Sequence, residues 1–436
     1  MKFNKWTLGL AAVGAVSLAS AARADESKMS QMQTALSDTT ISGYVDTSIQ
    51  WNLGSGDAYV APVAFQNSSK ADGFNLNVVD LAIDKPEDST PWASGYHVEL
   101  WMGPDANSLG TLSNPYLNPT VNTEGYPFPG PYYYGNAGGS DFAIRQAYVS
   151  LRTPIANTGI DWKLGVFDSP LGYESTSSPS NPNYTHSYGY TIEPTELTGL
   201  MGTYKVNDMF TVSAGIADTA GPMINQRAFI EYGGEEPDYY NGTKGESSKT
   251  YLGDVTFTAP DSWGWAAGST ISAGVLNGFS PGQAYYGGTQ TSWYLGGTFS
   301  TPIKALKVGA ALDYLNVSGT DYGAGYYNYY TWAGAIYASY QFNDKLSING
   351  RYDYWQDQES LGETFDSLTA DVQYSLWANV ISRLEVRWDH AEHGTWFGGN
   401  IPYYESYYGA GYSDYDGSDN EKANAFMVAL QVIYQF

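Results

Sequence analysis

"FMVALQVIYQF", residues 426–436, ends the sequence on an alternation. Phe426, Val428, Leu430, Val432, Tyr434 and Phe436 take every second position, and Met427, Ala429, Gln431, Ile433 and Gln435 stand between them. In an extended chain successive side chains point to opposite faces, so this stretch reads as a strand with one continuous apolar face. That face needs an apolar partner, either the core of a soluble sheet or the hydrocarbon of a membrane. The segment alone leaves both open.

The same period recurs upstream, in sixteen runs from 40–53 to 422–436. Leu384, Val386 and Trp388 oppose Arg383, Glu385, Arg387 and Asp389; Val308, Ala310, Leu312 and Tyr314 oppose Lys307, Gly309, Ala311 and Asp313. Runs near 75, 145 and 198 alternate poorly, as β-bulges would make them. The links between runs sort by length. Short ones ("KPEDSTP", "PIANT", "VN", "PDSWG", "PIKA", "NDK", "WANV") follow every even strand. Long ones follow every odd strand: 54–72, 103–140, 168–195, 218–248, 278–289, 318–329, 357–363 and 393–421. Sandwiches and propellers have no reason to sort loops this way. The pattern predicts an all-β fold over 40–436: a transmembrane antiparallel β-barrel of about 16 strands, with short periplasmic turns and long extracellular loops.

The second face of the strands decides the partner. Asp46, Glu99, Asp161, Lys163, Asp313, Arg351, Asp353, Asp371, Arg383, Glu385, Arg387 and Asp389 fall opposite the apolar positions. Unpaired charge in a dry core is prohibitively costly, so these residues are expected to line water. An apolar outside with a charged inside describes a lumen, and a closed barrel leaves no open edge in lipid. The terminal strand then closes against the first, "TISGYVDTSIQWNL" (40–53).

The N-terminus has Lys2 and Lys5, an apolar run Trp6–Ala22 and the small-x-small site Ala22-Arg23-Ala24. That is the layout of a secretory signal peptide, cleaved after Ala24, and it predicts export through the Sec pathway. Residues 25–39, "DESKMSQMQTALSDT", read as a short polar periplasmic leader, a loose helix at most. The chain has no cysteine, which removes disulfides, thiolate metal sites and cysteine nucleophiles. The formal charge of −25 becomes −28 once Lys2, Lys5 and Arg23 are lost, and such a surface repels nucleic acid.

Several phrases resemble a known family. "GYVDTSIQWNLG" (43–54), "IRQAYVSLRTP" (144–154) and "DWKLGVFDSPLGYESTSSPSNPNYTHSYGYTIEPTELTGLMGTYKV" (161–206) are similar to the putative β-barrel porin-2, OmpL-like family of Gram-negative outer-membrane porins. The closing "ALQVIYQF", with Tyr434 and Phe436, resembles the signal such barrels offer to the barrel-assembly machinery. The resemblance implies an outer-membrane pore without enzymatic activity or cofactor, and by analogy with general porins a homotrimer. It names no cargo.

The third long loop, 168–195, resembles in position the loop that general porins fold inward as a constriction. Tyr173, Glu174, His186, Tyr188 and Glu193 would then narrow the pore; the alternative is an external cap. Facing it, the mixed charges on the strands near 351, 371 and 385 either create a field across the lumen or form ion pairs that stiffen the wall. The segments 231–246 and 411–421 put carboxylates at the outer mouth, and Asp414, Asp416, Asp419 and Glu421 are a weak calcium candidate. Their glycine spacing does not match a calcium loop, so an acidic rim, bridged by divalent ions to lipopolysaccharide, is the reading preferred. Tyrosines at 132–134, 239–240, 326–330, 403–404 and 407–408 suit an interfacial aromatic girdle; a sugar-stacking surface is the sharper alternative.

"DHAEH" (389–393) is the one cluster that tempts a catalytic reading. On a strand, His390 and His393 point to opposite faces, as do Asp389 and His390, so neither a metal pair nor a dyad is expected. The expected function is therefore a water-filled channel for passive diffusion of small hydrophilic solutes and ions, with mild cation preference, embedded among outer-membrane lipid and lipopolysaccharide. A substrate-selective channel for sugars or another nutrient, and a plugged structural or adhesive barrel, are the alternatives.

Overall fold

The computed structural model describes residues 32–33, 38–53, 63–111, 141–155, 158–225, 249–279, 289–321, 325–357, 364–393, 397 and 422–436. Sixteen long strands build it. The first eight are β1 (Thr40–Leu53), β2 (Gly73–Lys85), β3 (Ser94–Met102), β4 (Phe142–Thr153), β5 (Ile160–Asp168), β6 (Glu196–Lys205), β7 (Phe210–Ala217) and β8 (Thr250–Thr258). The second eight are β9 (Thr270–Phe279), β10 (Thr289–Ser300), β11 (Leu306–Asp321), β12 (Gly325–Asn343), β13 (Leu346–Asp357), β14 (Thr364–Tyr374), β15 (Val380–Ala391) and β16 (Asn424–Gln435). Each pairs antiparallel with the next, and β16 pairs with β1, so the sheet closes on itself. Closure removes the unpaired edge that lipid cannot satisfy. Among the described residues no helix is long and apolar enough to cross a membrane.

The terminal strand shows how the two faces divide. Phe426, Leu430 and Tyr434 are 46%, 37% and 48% exposed on the outside, while Ala429, Gln431 and Ile433 are buried inside. Around the barrel the outer face continues through Trp51, Leu151, Leu164, Val255, Trp293, Leu312, Ile336, Leu368 and Leu384, all exposed. That belt is what hydrocarbon covers. At the seam the Gly43 N–H donates to the Phe436 carbonyl at 3.1 Å and the Phe436 N–H to the Gly43 carbonyl at 3.0 Å. A Cβ on Gly43 would lie 2.1 Å from the Asp80 carbonyl oxygen and 2.9 Å from Phe436 Cζ. Glycine is therefore what allows the last residue to lie flat across the first strand.

Three details depart from the alternation or explain its lapses. Register shifts at Asp46/Thr47 and at Glu99/Leu100 place bulges beside the weak runs near 75 and 145. Near 198 there is no shift in register. There Leu197 and Met201 face inward and pack with Phe167 and Leu171, so the inner face is itself apolar. The expected loop 318–329 is largely absorbed into β11 and β12, which stay paired out to Asp321 and Gly325. In the leader, Met32 and Gln33 pair with Ile41 and Thr40 as a short strand, not a helix. Residues 1–24 lie outside the described residues.

Candidate functional site: a segment folded inside the barrel

After β5 the chain does not leave the barrel. Ser169 N–H donates to the Thr195 carbonyl at 2.7 Å and closes the base of a loop that runs across the interior. It holds a short 3-10 turn (Ser178–Ser180) and one α-helix, α1 (Tyr188–Ile192), whose cap Ser187 accepts from the Tyr190 N–H. Along its length the segment meets inward residues of β1, β9 to β13 and β15. Tyr184 bonds Ser48 and Gln50, Leu171 covers Gly274, Tyr173 bonds Thr298 and stacks on Tyr337 at 4.2 Å, and Asn349 donates to the Pro182 carbonyl.

The strongest fastenings join wall charges to the segment's main chain. Arg351 donates to the carbonyls of Thr185 (2.6 Å) and His186 (3.0 Å), and Arg387 to that of His186 (2.7 Å). Arg383 donates to the Ser178 and Asn181 carbonyls. In the opposite sense, Glu385 accepts from the N–H groups of Tyr184 (2.6 Å) and Thr185 (3.1 Å), and Asp353 from that of Tyr188 (3.0 Å). Ion pairs complete the set: Arg351 with Asp353 (3.0 Å) and Glu174 (3.1 Å), and Arg387 with Asp389 (2.7 Å). A buried guanidinium has five N–H donors in a rigid fork, which suits converging carbonyls better than an ammonium would.

These contacts change the meaning of the expected pore-lining set. Asp46, Glu99, Asp313, Arg351, Asp353, Asp371, Arg383, Glu385, Arg387 and Asp389 all face inward, yet all are buried; only Asp161 and Lys163 keep partial exposure. Charge in the interior needs a partner, and here the partner is mostly protein, not water. The expected constriction residues are turned the same way. Tyr173, His186 and Tyr188 are buried, Tyr188 donating to Asp389 at 2.7 Å beneath the Arg387 guanidinium; Glu174 accepts from Tyr337 at 2.9 Å. They face the wall and hold the segment; Ser177, Ser180 and Thr191 are among its more exposed residues. Burial opposes the Glu174 charge, but the Arg351 guanidinium beside it prevails and keeps that carboxyl below its usual range. Burial keeps the His186 imidazole below its ordinary value and therefore neutral.

Other loops join the packing. Phe65, before β2, lies 5.3 Å from the His186 ring, and Lys70 pairs with Asp105 at 2.6 Å, both buried. A Cβ on Gly110 would come within 2.8 Å of Pro222, so the loops after β3 and β7 also touch. On the other wall, Arg145 binds Glu99 and Asp168 (2.8 Å), His97 binds Asp84 (3.0 Å) and Glu99 (3.2 Å), and Lys163 lies 4.6 Å over the Tyr148 ring. Arg145, Asp80, Lys70 and Trp101 escaped the sequence reading; the two bulges shift the parity that would have exposed the first two, and Lys70 lies in a loop. "DHAEH" divides across the sheet: Asp389 faces in, while His390 bonds Asn424 on the outside. Asp414, Asp416, Asp419, Glu421, both acidic loops and the tyrosines at 132–134, 239–240, 403–404 and 407–408 lie outside the described residues. No group of three or more potential metal ligands occurs among the described residues.

The family model described as "Putative beta-barrel porin-2, OmpL-like" matches residues 38–436. Among solved structures, the anion-selective porin of Comamonas acidovorans superposes with a TM-score of 0.52 at 10% identity, covering 91% of this chain and 99% of its own. The outer membrane channel DcaP of Acinetobacter baumannii gives 0.54 at 13%, covering 92% and 97%. OmpF of Salmonella typhi gives 0.54 at 12%, covering 91% and 97%. At such identities the similarity carries the fold and not the selectivity. No curated protein sequence matches the chain.

Proposed function

Because the chain belongs to the Putative beta-barrel porin-2, OmpL-like family, we propose that it is a porin of the Gram-negative outer membrane, passing small hydrophilic solutes and ions by diffusion. The observation that carries this reading is a closed sixteen-stranded barrel whose outer belt is apolar and whose inner face is polar and charged, with one segment strung across it. That segment, 169–195, sets the aperture. Its position is fixed by Arg351, Arg383, Glu385 and Arg387, which act as anchors and not as open water-facing charges. Among the described residues inward carboxylates outnumber inward bases, and Asp84 and Asp161 keep partial exposure, which supports a mild preference for cations. Export through the Sec pathway, insertion by the barrel-assembly machinery through the Tyr434/Phe436 end, lipopolysaccharide around the acidic rim and a homotrimeric assembly complete the proposal.

One observation favours a narrower reading: the loops after β1, β3 and β7 pack inside together with the segment. On that reading the passage is substrate-selective, or closed. Refolded residues 25–436 in a planar bilayer under a salt gradient separate the possibilities. Stable steps with a reversal potential of cationic sign support the diffusion channel; saturation by a sugar supports the selective one. Electrical silence from protein shown to be folded overturns the proposal.

A further inference from the structure

Where the segment returns towards β6, two carboxyls meet. Glu193 belongs to the segment and Asp313 to β11, and their side chains lie within hydrogen-bonding range of each other. Among the described residues neither forms an ion pair, unlike nearby Glu174, whose charge is taken by Arg351. Asp313 is 4% exposed, and among the described residues no N–H or O–H donates to its Oδ1. Glycines let the main chain close on both groups. A Cβ on Gly172 would stand 2.5 Å from Glu193 Oε2, and one on Gly189 would stand 2.6 Å from Asp313 Oδ2. Glu193 also accepts from the Tyr173 N–H at 3.3 Å, tying the two ends of the segment together.

Two bare carboxylates would repel at this range, and neither has a cation to offset the other. One proton between them removes the repulsion and supplies the donor that Asp313 lacks. The other titratable groups facing the pair are Glu174 and Tyr173 of the segment and Tyr294 of β10; none of them brings positive charge. Burial, reinforced by Asp313 and Glu174, pushes the Glu193 carboxyl well above its ordinary range.

We propose that Glu193 and Asp313 share a single proton and so form a latch that holds segment 169–195 against β11 and releases it as the pH rises. The sign follows from linkage. The docked segment binds one proton that the released segment does not, so docking is strongest where the pair is protonated and weakens as pH climbs through its titration. One linked proton changes the docked-to-released ratio about tenfold per pH unit between the titration of the released carboxyls and that of the docked pair, and the ratio levels off above the latter. The inference rests on the place of the segment in the barrel and not on what the barrel passes.

The test uses a nitroxide at Thr191→Cys, an exposed position on the segment in a chain with no cysteine of its own. Spectra of the folded barrel are taken from about pH 5 to about pH 10, with bilayer conductance followed in parallel. The latch predicts a mobile component that grows with pH in the parent protein and is absent with Glu193→Gln, whose amide donates to Asp313 at every pH. Asp313→Asn is the second variant and should behave alike. A parent spectrum that stays flat, or a rise that persists in both variants, overturns the latch. Spectral release in a barrel that conducts no current leaves the latch standing and removes the diffusion reading instead.

Discussion

Replacing Arg351 by Met tests what holds the interior segment. Arg351 is 1% exposed, and its side chain reaches Asp353, Glu174, the carbonyls of Thr185 and His186, Thr185 Oγ1 (3.1 Å) and Thr369 Oγ1 (3.2 Å). Methionine fills much of the volume but donates nothing. Two carboxylates lose their paired guanidinium and the Thr185 carbonyl loses its donor, while that of His186 keeps Arg387; removing one partner of a buried pair costs about 3–5 kcal/mol. The strand ladder is untouched, because Arg351 pairs with Tyr337 and Thr369 through its backbone. The loss should therefore fall on docking: roughly a hundredfold to several-thousandfold in the docked-to-released ratio, at about 1.4 kcal/mol per tenfold. Heat-modifiable migration in detergent reports whether the barrel has closed, and single-channel recording reports the aperture. The expected outcome is a normal barrel with larger, noisier conductance, partly corrected in Arg351→Met/Glu174→Gln because one of the two orphaned charges is gone. A closed Arg351→Met barrel with parent conductance and noise would show that the segment does not depend on this anchor.

Leu384→Arg puts a charge on the outer belt, where it should cost about 2–4 kcal/mol near the bilayer midplane; urea unfolding from vesicles measures it, and an unchanged midpoint would count against lipid on that face. Gly43→Val should slow or prevent closure, since its Cβ collides with the Asp80 carbonyl, whereas Gly334→Ala, with no atom nearer than 3.8 Å, should fold like the parent; the folded fraction by gel migration compares them. Tyr188→Phe removes the hydroxyl bond to buried Asp389 and should cost about 1.5–3 kcal/mol of docking, read as excess current noise.

The strands could be read from the sequence because a barrel of this kind obeys one local rule. Arg383, Glu385, Arg387 and Asp389 are two apart, and so are Leu384 and Val386, so the direction of each side chain follows from the period alone. The rule fails where a bulge adds a residue, as it does at Arg145. It also stops at direction. Whether an inward arginine meets water or protein depends on contacts such as Arg351 to Thr185, 166 residues away, or Glu385 to Tyr184, 201 away. Those contacts end largely on backbone atoms, which every residue type shares and no composition betrays. Hence Tyr173, His186 and Tyr188 stood out as aromatic or titratable, but that did not show that they face the wall.

The wall grips the segment largely by its peptide groups at 178, 181, 184, 185, 186 and 188. A frame that holds backbone leaves side chains such as those of Ser180 and Thr191 free to change without loosening it. The barrel is in that sense a mould with a replaceable lining. One arginine scaffold can host many apertures, and an engineer wanting a pore of chosen width or chemistry would rewrite those few residues and leave the sixteen strands alone.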